Sequence, residues 1–271
     1  MKAWLVLLLL LSGCSRQSPL ESAQGHLNAG RLASAEKDFR RFLDDHPDSV
    51  DALYGLGWVY HLSGKAGLAR DHFMRCLRVD SGDYRGHKGL GSLALEEGNF
   101  AAAQTRFRDA LELLPDDPAV LHSMAQTYMG LEDYPKAIEI LEPLVERVTQ
   151  RGEFGVNLAL SYSKLRQFER AIEVIESSLK RKIRETRFRA MLHELRARVL
   201  VRMTSGRLDP TDCANTQPAL LETLKIAEKD VESAASITPD LPTLNDARLR
   251  IHRRRGRILE DCPLDVVNSL E

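Results

Sequence analysis

The sequence predicts an all-helical solenoid of stacked repeats, and three observations predict it. Ala35, Ala69, Ala103, Ala137 and Ala171 are each 34 residues apart without slippage, the mark of a repeat architecture. No stretch alternates apolar and polar residues with period two, so no sheet is expected. The chain has 271 residues, 43% hydrophobic and 28% charged, a globular balance. No apolar run approaches the roughly 20 residues of a membrane-spanning helix.

The alanines anchor a wider pattern. Four residues after each comes Phe39, Phe73, Phe107, Leu141 or Ile175, and twelve before comes Ala23, Gly57, Gly91, Ala125 or Ala159. Three beyond those small residues stand His26, Tyr60, Ala94, Tyr128 and Tyr162. The five units therefore run 16–49, 50–83, 84–117, 118–151 and 152–185, each as two amphipathic helices joined by a turn. Small residues such as Gly57 and Ala69 let the paired backbones approach closely. Gly30, Gly64 and Gly98 fall where the first helix ends, a place that often needs left-handed φ. Pro47 and Pro115 close the first and third units, because proline cannot continue the hydrogen-bond ladder. In the fourth and fifth units Glu132 and Arg166 replace the glycine, and Thr149 and Ile183 the proline, which leaves those turns weakly specified. Pro143, inside the fourth unit's second helix, is expected to bend it.

Past residue 185 the register is lost. Phe188, Met191, Leu192, Leu195 and Val199 mark one helical face, and 218–237 and 244–259 read as two further helices. A polar loop is expected over 204–217. Residues 186–271 form a helical cap over the last repeat, since the end of a solenoid must be covered.

Period, residue types and internal spacing together resemble the tetratricopeptide repeat family, with five repeats within residues 14–185. The family's early tryptophan is missing: Pro19, Leu53, His87, Leu121 and Gly155 stand there. The resemblance implies a superhelix whose inner groove binds a protein or peptide through the first helix of each unit. Carried over, that face holds Tyr54, Trp58 and His61, then Arg85 and Lys88, then His122, Gln126 and Met129, with Asn157 nearby. Trp58 either anchors a partner through large area and little side-chain entropy or packs between helices. Arg85 and Lys88 either meet a partner's carboxylates or form a solvated face. The paired Lys and Asn with which the family clamps a terminal carboxylate are not reproduced at Leu20, Gln24, Tyr54 and Trp58.

The chain begins with Lys2 and a short leucine-rich core over 3–11, the form of a secretory signal. It ends Leu11-Ser12-Gly13-Cys14, which resembles the lipobox of bacterial lipoproteins. That implies cleavage after residue 13, lipid on Cys14, and, with Ser15 next, an outer-membrane anchor facing the periplasm. A bridge between Cys213 and Cys262 is expected in that oxidising compartment, against the alternative of free thiols. It would close a ring of about 50 residues, worth about 4 kcal/mol at most by chain entropy. Cys76 stands at a repeat position that calls for a small buried side chain.

The formal charge of -1 hides a division. Residues 180–207 carry ten basic residues against two acidic ones, and 248–257 add six arginines. Outside these segments and the signal, 21 basic residues face 37 acidic ones. The lipoprotein address favours anionic lipid or an acidic protein over nucleic acid as the counterpart of this basic end, and a solvated helix face remains the alternative. The sequence holds no HExxH, phosphate-binding glycine loop, GxSxG elbow or zinc-like Cys/His spacing. It therefore reads as a non-enzymatic, lipid-anchored scaffold for protein partners in envelope machinery, without cofactor or metal. In plan it is similar to outer-membrane lipoproteins that assist pilus, secretin or outer-membrane assembly. One alternative is an adaptor of peptidoglycan enzymes. Another is an enzyme or small-ligand carrier with a deep pocket in the cap.

Overall fold

The computed structural model describes residues 18–205 and 213–261, with thirteen helices and no strand among them. In chain order these are α1 (Pro19–Asn28), α2 (Leu32–Asp45), α3 (Val50–Leu62), α4 (Ala66–Val79), α5 (Tyr84–Glu96), α6 (Phe100–Leu113) and α7 (Pro118–Gly130). There follow α8 (Tyr134–Arg147), α9 (Gly152–Lys164), α10 (Phe168–Lys180), α11 (Thr186–Thr204), α12 (Cys213–Ile237) and α13 (Leu244–Asp261). The fold is an all-α repeat solenoid, and the chain divides into two compact units, Met1–Met124 and Ala125–Glu271.

Most helices of the first unit start on side-chain caps, whereas α2 and α4 start at Arg31 and Lys65 without one. Ser18 and Glu21 form a reciprocal capping box, and Ser49, Asp83 and Asn99 each accept a backbone N–H at the first turn of their helix, satisfying donors that the ladder leaves free. Ala35, Ala69 and Ala103 and their partners Phe39, Phe73 and Phe107 are fully buried. The reason for the glycines lies here. A Cβ on Gly57 of α3 or on Gly89 of α5 would come within 2.5 Å of the Phe73 ring, and one on Gly91 within 2.6 Å of Phe107. Each ring thus occupies space that a larger residue would take, and Phe73 is held from both flanking helices.

The second unit repeats the scheme with smaller wedges, Leu141 and Ile175, both fully buried. Its turns answer the question left by the missing glycines. Glu132 and Arg166 adopt φ of 59° and 61°, beside 69°, 72° and 71° at Gly30, Gly64 and Gly98. In all five turns the next residue's N–H donates back across the helix end: Arg31 to His26, Lys65 to Tyr60, Asn99 to Ala94, Asp133 to Tyr128 and Gln167 to Tyr162, at 2.8–2.9 Å. This closing bond sets the left-handed residue, whatever its side chain.

Pro143 lies within α8, which continues through it to Arg147. In the cap, α11 buries Leu192, Leu195 and Val199, and α11, α12 and α13 enclose a cluster that includes Leu224, Val231 and Ile251. The expected loop over 204–217 is corrected: α12 begins at Cys213, five residues before Pro218, which sits inside the helix. Proline removes only its own N–H donor and disfavours, without forbidding, a helical neighbour before it.

Candidate functional site

The face proposed from the sequence divides between the two units. In the first, α3 carries Tyr54, Trp58 and His61, spaced to share one side of a helix. All three are half-buried and packed as a group. The Trp58 ring lies edge-on to Tyr54 at 6.0 Å and to His61 at 4.9 Å between centroids, with the buried Phe73 ring beneath at 5.9 Å. Trp58 packs against the core around Phe73 and remains partly accessible. Burial pushes the Tyr54 hydroxyl up to about 12, so it stays a neutral donor at any physiological pH.

Arg85 and Lys88 of α5 border this group but are already paired. Arg85 Nη2 lies 2.6 Å from Asp83 Oδ2, Nη1 also meets Asp51, and the guanidinium stands 5.8 Å from the Tyr54 ring centroid. Lys88 Nζ lies 3.4 Å from Asp117 and 5.8 Å from the Tyr84 ring centroid. Burial opposes the charge on Asp117, yet N–H bonds from Val120 and Ala119 and the Lys88 ammonium hold its carboxyl below the usual range. Both cations thus support the aromatic surface more than they offer unspent charge. His61 Nε2 also reaches Glu96, at 3.1 Å.

His122 of α7 belongs to the first unit and is 9% exposed. Gln126 and Met129, also on α7, and Asn157 on α9 belong to the second unit and are half-buried. Sequence reasoning missed Tyr84 and the carboxylates Asp51, Asp83 and Asp117. The signal was present, since Ser49, Asp83 and Asp117 recur every 34 residues as helix caps, and such a cap sits two and five residues from Arg85 and Lys88.

Cys14 and Cys262 lie outside the described residues, as does the side chain of Cys213, and with them the expected lipidation and bridge. Cys76 is buried beneath α3 and reduced, and burial pushes its thiol up to about 12, which removes it as a nucleophile. No group of three or more His, Cys, Asp or Glu among the described residues is placed to hold a metal ion. None of the described helices is long and apolar enough to cross a membrane.

Much of the basic end is structural. Arg196 binds Asp230 and Glu176, Arg255 binds Glu228, and Arg250 binds Asp246. Arg254, 7% exposed, donates to the carbonyl of Thr204 and caps α11, a favourable place for a cation. A cleft in the cap, lined by Glu228, Val231, Glu232, Arg248 and Ile251, holds about 200 Å³, below the size usual for small-ligand sites.

Comparison with known proteins bears on the repeats. Models of the tetratricopeptide repeat match residues 20–84, 94–154 and 156–187. DnaJ homolog subfamily C member 3 of Gallus gallus is 26% identical over 144 residues, 48% of this chain and 28% of that protein. Type IV pilus assembly protein PilF of Pseudomonas aeruginosa is 23% identical over 130 residues, 47% of this chain and 52% of its own length. The chain thus spans about a quarter to a half of these curated relatives. The solved structure of P. aeruginosa PilF superposes with a TM-score of 0.66 at 17% identity, covering 86% of this chain and 96% of PilF. A chain of the Cut9–Hcn1 hetero-tetramer of the APC/C gives 0.69 at 16% identity, covering 92% of this chain and 45% of its own. At such identities the likeness is one of fold alone.

Proposed function

The chain carries tetratricopeptide repeats, and from that premise we propose that it is a non-catalytic scaffold, held to the bacterial outer membrane by lipid on Cys14 and facing the periplasm. Its work is to bind other proteins of the envelope machinery. The observation that carries this reading is the aromatic surface of α3 and α5. Trp58 and Tyr54 pack together half-buried and are backed by Phe73, Tyr84 is half-buried on the neighbouring α5 beneath Lys88, and the charges around them are already paired. Such a surface offers a partner large apolar area at little entropic cost, the usual chemistry of an interaction hot spot. In the second unit, Gln126, Met129 and Asn157 would offer contacts of their own, and the unpaired cations of the cap would meet anionic lipid or an acidic protein. The lipobox-like Leu11-Ser12-Gly13-Cys14 supports the anchor, and the likeness to a pilus assembly protein supports pilus, secretion or outer-membrane assembly as the setting.

Crosslinking and pulldown from membranes tests the surface. Trp58→Ala is expected to lose most of the partner recovered by the wild type, and unchanged recovery would refute the assignment. Palmitate labelling tests the anchor: wild type is expected to carry label in the membrane fraction and Cys14→Ala to carry none. A soluble, unlabelled wild type would overturn the address.

A further inference from the structure

A cleft of about 500 Å³ opens in the first unit among α4, α5 and α6, and the repeat register says why it is there. At the position of Ala94 three of the other four units carry tyrosine. Tyr60 shows what that side chain does. Its hydroxyl accepts from Arg40 Nη2 at 2.7 Å and donates to Glu36 at 3.2 Å. Lys65 stands 5.5 Å from its ring centroid, and the His72 ring lies alongside at 5.3 Å. Tyr128 and Tyr162 likewise have Lys136 and Arg170 over their rings, at 5.3 Å and 5.6 Å.

Thirty-four residues on from Glu36, Arg40, Lys65 and His72 stand Arg70, Met74, Asn99 and Arg106, and all four line the cleft. The cleft is therefore the tyrosine slot of the third unit without its tyrosine. Its floor is apolar, formed by Leu77, Leu90, Ala94 and Ala102. Its rim is cationic: Arg70 is paired across the opening with Glu97 at 2.5 Å, Arg106 lies 3.7 Å from Asp109, and Arg78 has no ionic partner among the described residues. Ala94 also stands two residues past the α5 counterpart of Trp58, about 200° further round the helix, so the slot is a surface distinct from the aromatic face.

We propose that this slot receives an aromatic side chain of a protein partner flanked by carboxylates, which restores the ring that the other units supply themselves. Slot size selects the ring, as a phenol fits in the equivalent place at Tyr60. Charge selects its neighbours, because three arginines ring the mouth: Glu97 offsets Arg70, Asp109 touches Arg106 only at 3.7 Å, and Arg78 is unpaired among the described residues. Guanidinium groups pair with carboxylates in defined, often bidentate geometry.

The test uses the full chain and a synthetic fluorescent peptide with tyrosine between two glutamates, titrated by anisotropy. Controls replace the tyrosine by alanine or the glutamates by lysine. Ala94→Tyr is expected to fill the slot from within, raise the thermal midpoint and weaken the peptide at least tenfold. Arg78→Glu with Arg106→Glu, a surface change that leaves the core intact, is expected to weaken it similarly. Equal binding of the alanine or lysine control would overturn the proposal, and so would undiminished binding by Ala94→Tyr. Loss of binding in Trp58→Ala with none in Ala94→Tyr would place the peptide on the aromatic face instead. Saturation by N-acetyltyrosinamide alone, with affinity equal to the peptide's, would overturn the peptide reading in favour of a small aromatic ligand.

Discussion

Glu132 and Arg166 occupy a backbone region where an L-residue with a Cβ costs about 1–2 kcal/mol, and neither side chain explains why they are there. The cost is borne because the following N–H closes the helix onto Tyr128 or Tyr162. It follows that Glu132→Gly should raise stability by up to about 1 kcal/mol, reduced by the entropy glycine gains when unfolded. Gly64→Ala, at φ of 72°, should lower it by about 1 kcal/mol. Denaturant midpoints at constant slope check both, and equal midpoints for Glu132→Gly and wild type would mean that the turn relaxes. The same contrast shows what the sequence makes legible at this scale. Ala69, Phe73 and Gly57 are readable because each is required by volume at a fixed spacing. The conformation of Glu132 is not, because a bond between two backbone groups imposes it. Ala94 was visible as a departure from tyrosine, but its consequence depends on what surrounds it, and Arg70, Asn99 and Arg106 lie on two other helices.

Between elements, a buried acid holds α11 to α12. Asp230 is 2% exposed and accepts from Arg196 Nε and Nη2 at 2.7 Å, with His193 Nδ1 at 2.9 Å. Burial opposes its charge, yet the hydrogen bonds from His193 and Arg196 hold its carboxyl below the usual range. A depressed folded-state pKa contributes stability above the unfolded value, near 3.9, and that contribution is lost as pH falls through the folded value. Asp230→Ala should therefore cost about 3 kcal/mol at neutral pH, because it takes the buried acceptor from His193 and leaves Arg196 only its longer contact to Glu176 at 3.4 Å. The penalty should shrink as pH falls below 4 towards the lower folded value, through which the wild type loses the same charge. A pH-independent penalty, measured by chemical unfolding of both proteins, would mean that shape rather than charge is at stake. Nothing in the sequence paired Asp230 with residues 34 and 37 positions earlier, since the cap has left the repeat register. That is also why Pro218 misled about the start of α12: without a period, a helix must be read from local signals, and proline is an ambiguous one.

For the molecule as a whole, charge division matters more than the sum. The acidic excess lies outside 180–207 and 248–257, but the basic total overstates what those segments offer. Arg196, Arg250, Arg254 and Arg255 are committed to internal partners, whereas Lys180, Lys182, Arg184, Arg248 and Arg253 have no ionic partner among the described residues. Near an anionic membrane each such cation contributes about 1 kcal/mol, a field that fades within a Debye length. The acidic remainder is repelled by the same surface, so attraction is weak and depends on which face approaches. Full chain with Cys14→Ser, which removes the proposed lipid, should sediment with vesicles containing phosphatidylglycerol at low salt. It should leave them near 1 M salt, where the Debye length is about 3 Å, and it should ignore uncharged vesicles throughout. Replacing Lys180, Lys182 and Arg184 by glutamine should reduce the bound fraction several-fold, while Arg254→Gln should act through stability and not through binding at matched folded fraction. Binding that persists at high salt, or that ignores the triple change, would show that the free cations do not face the membrane and that an acidic protein is the better counterpart for them.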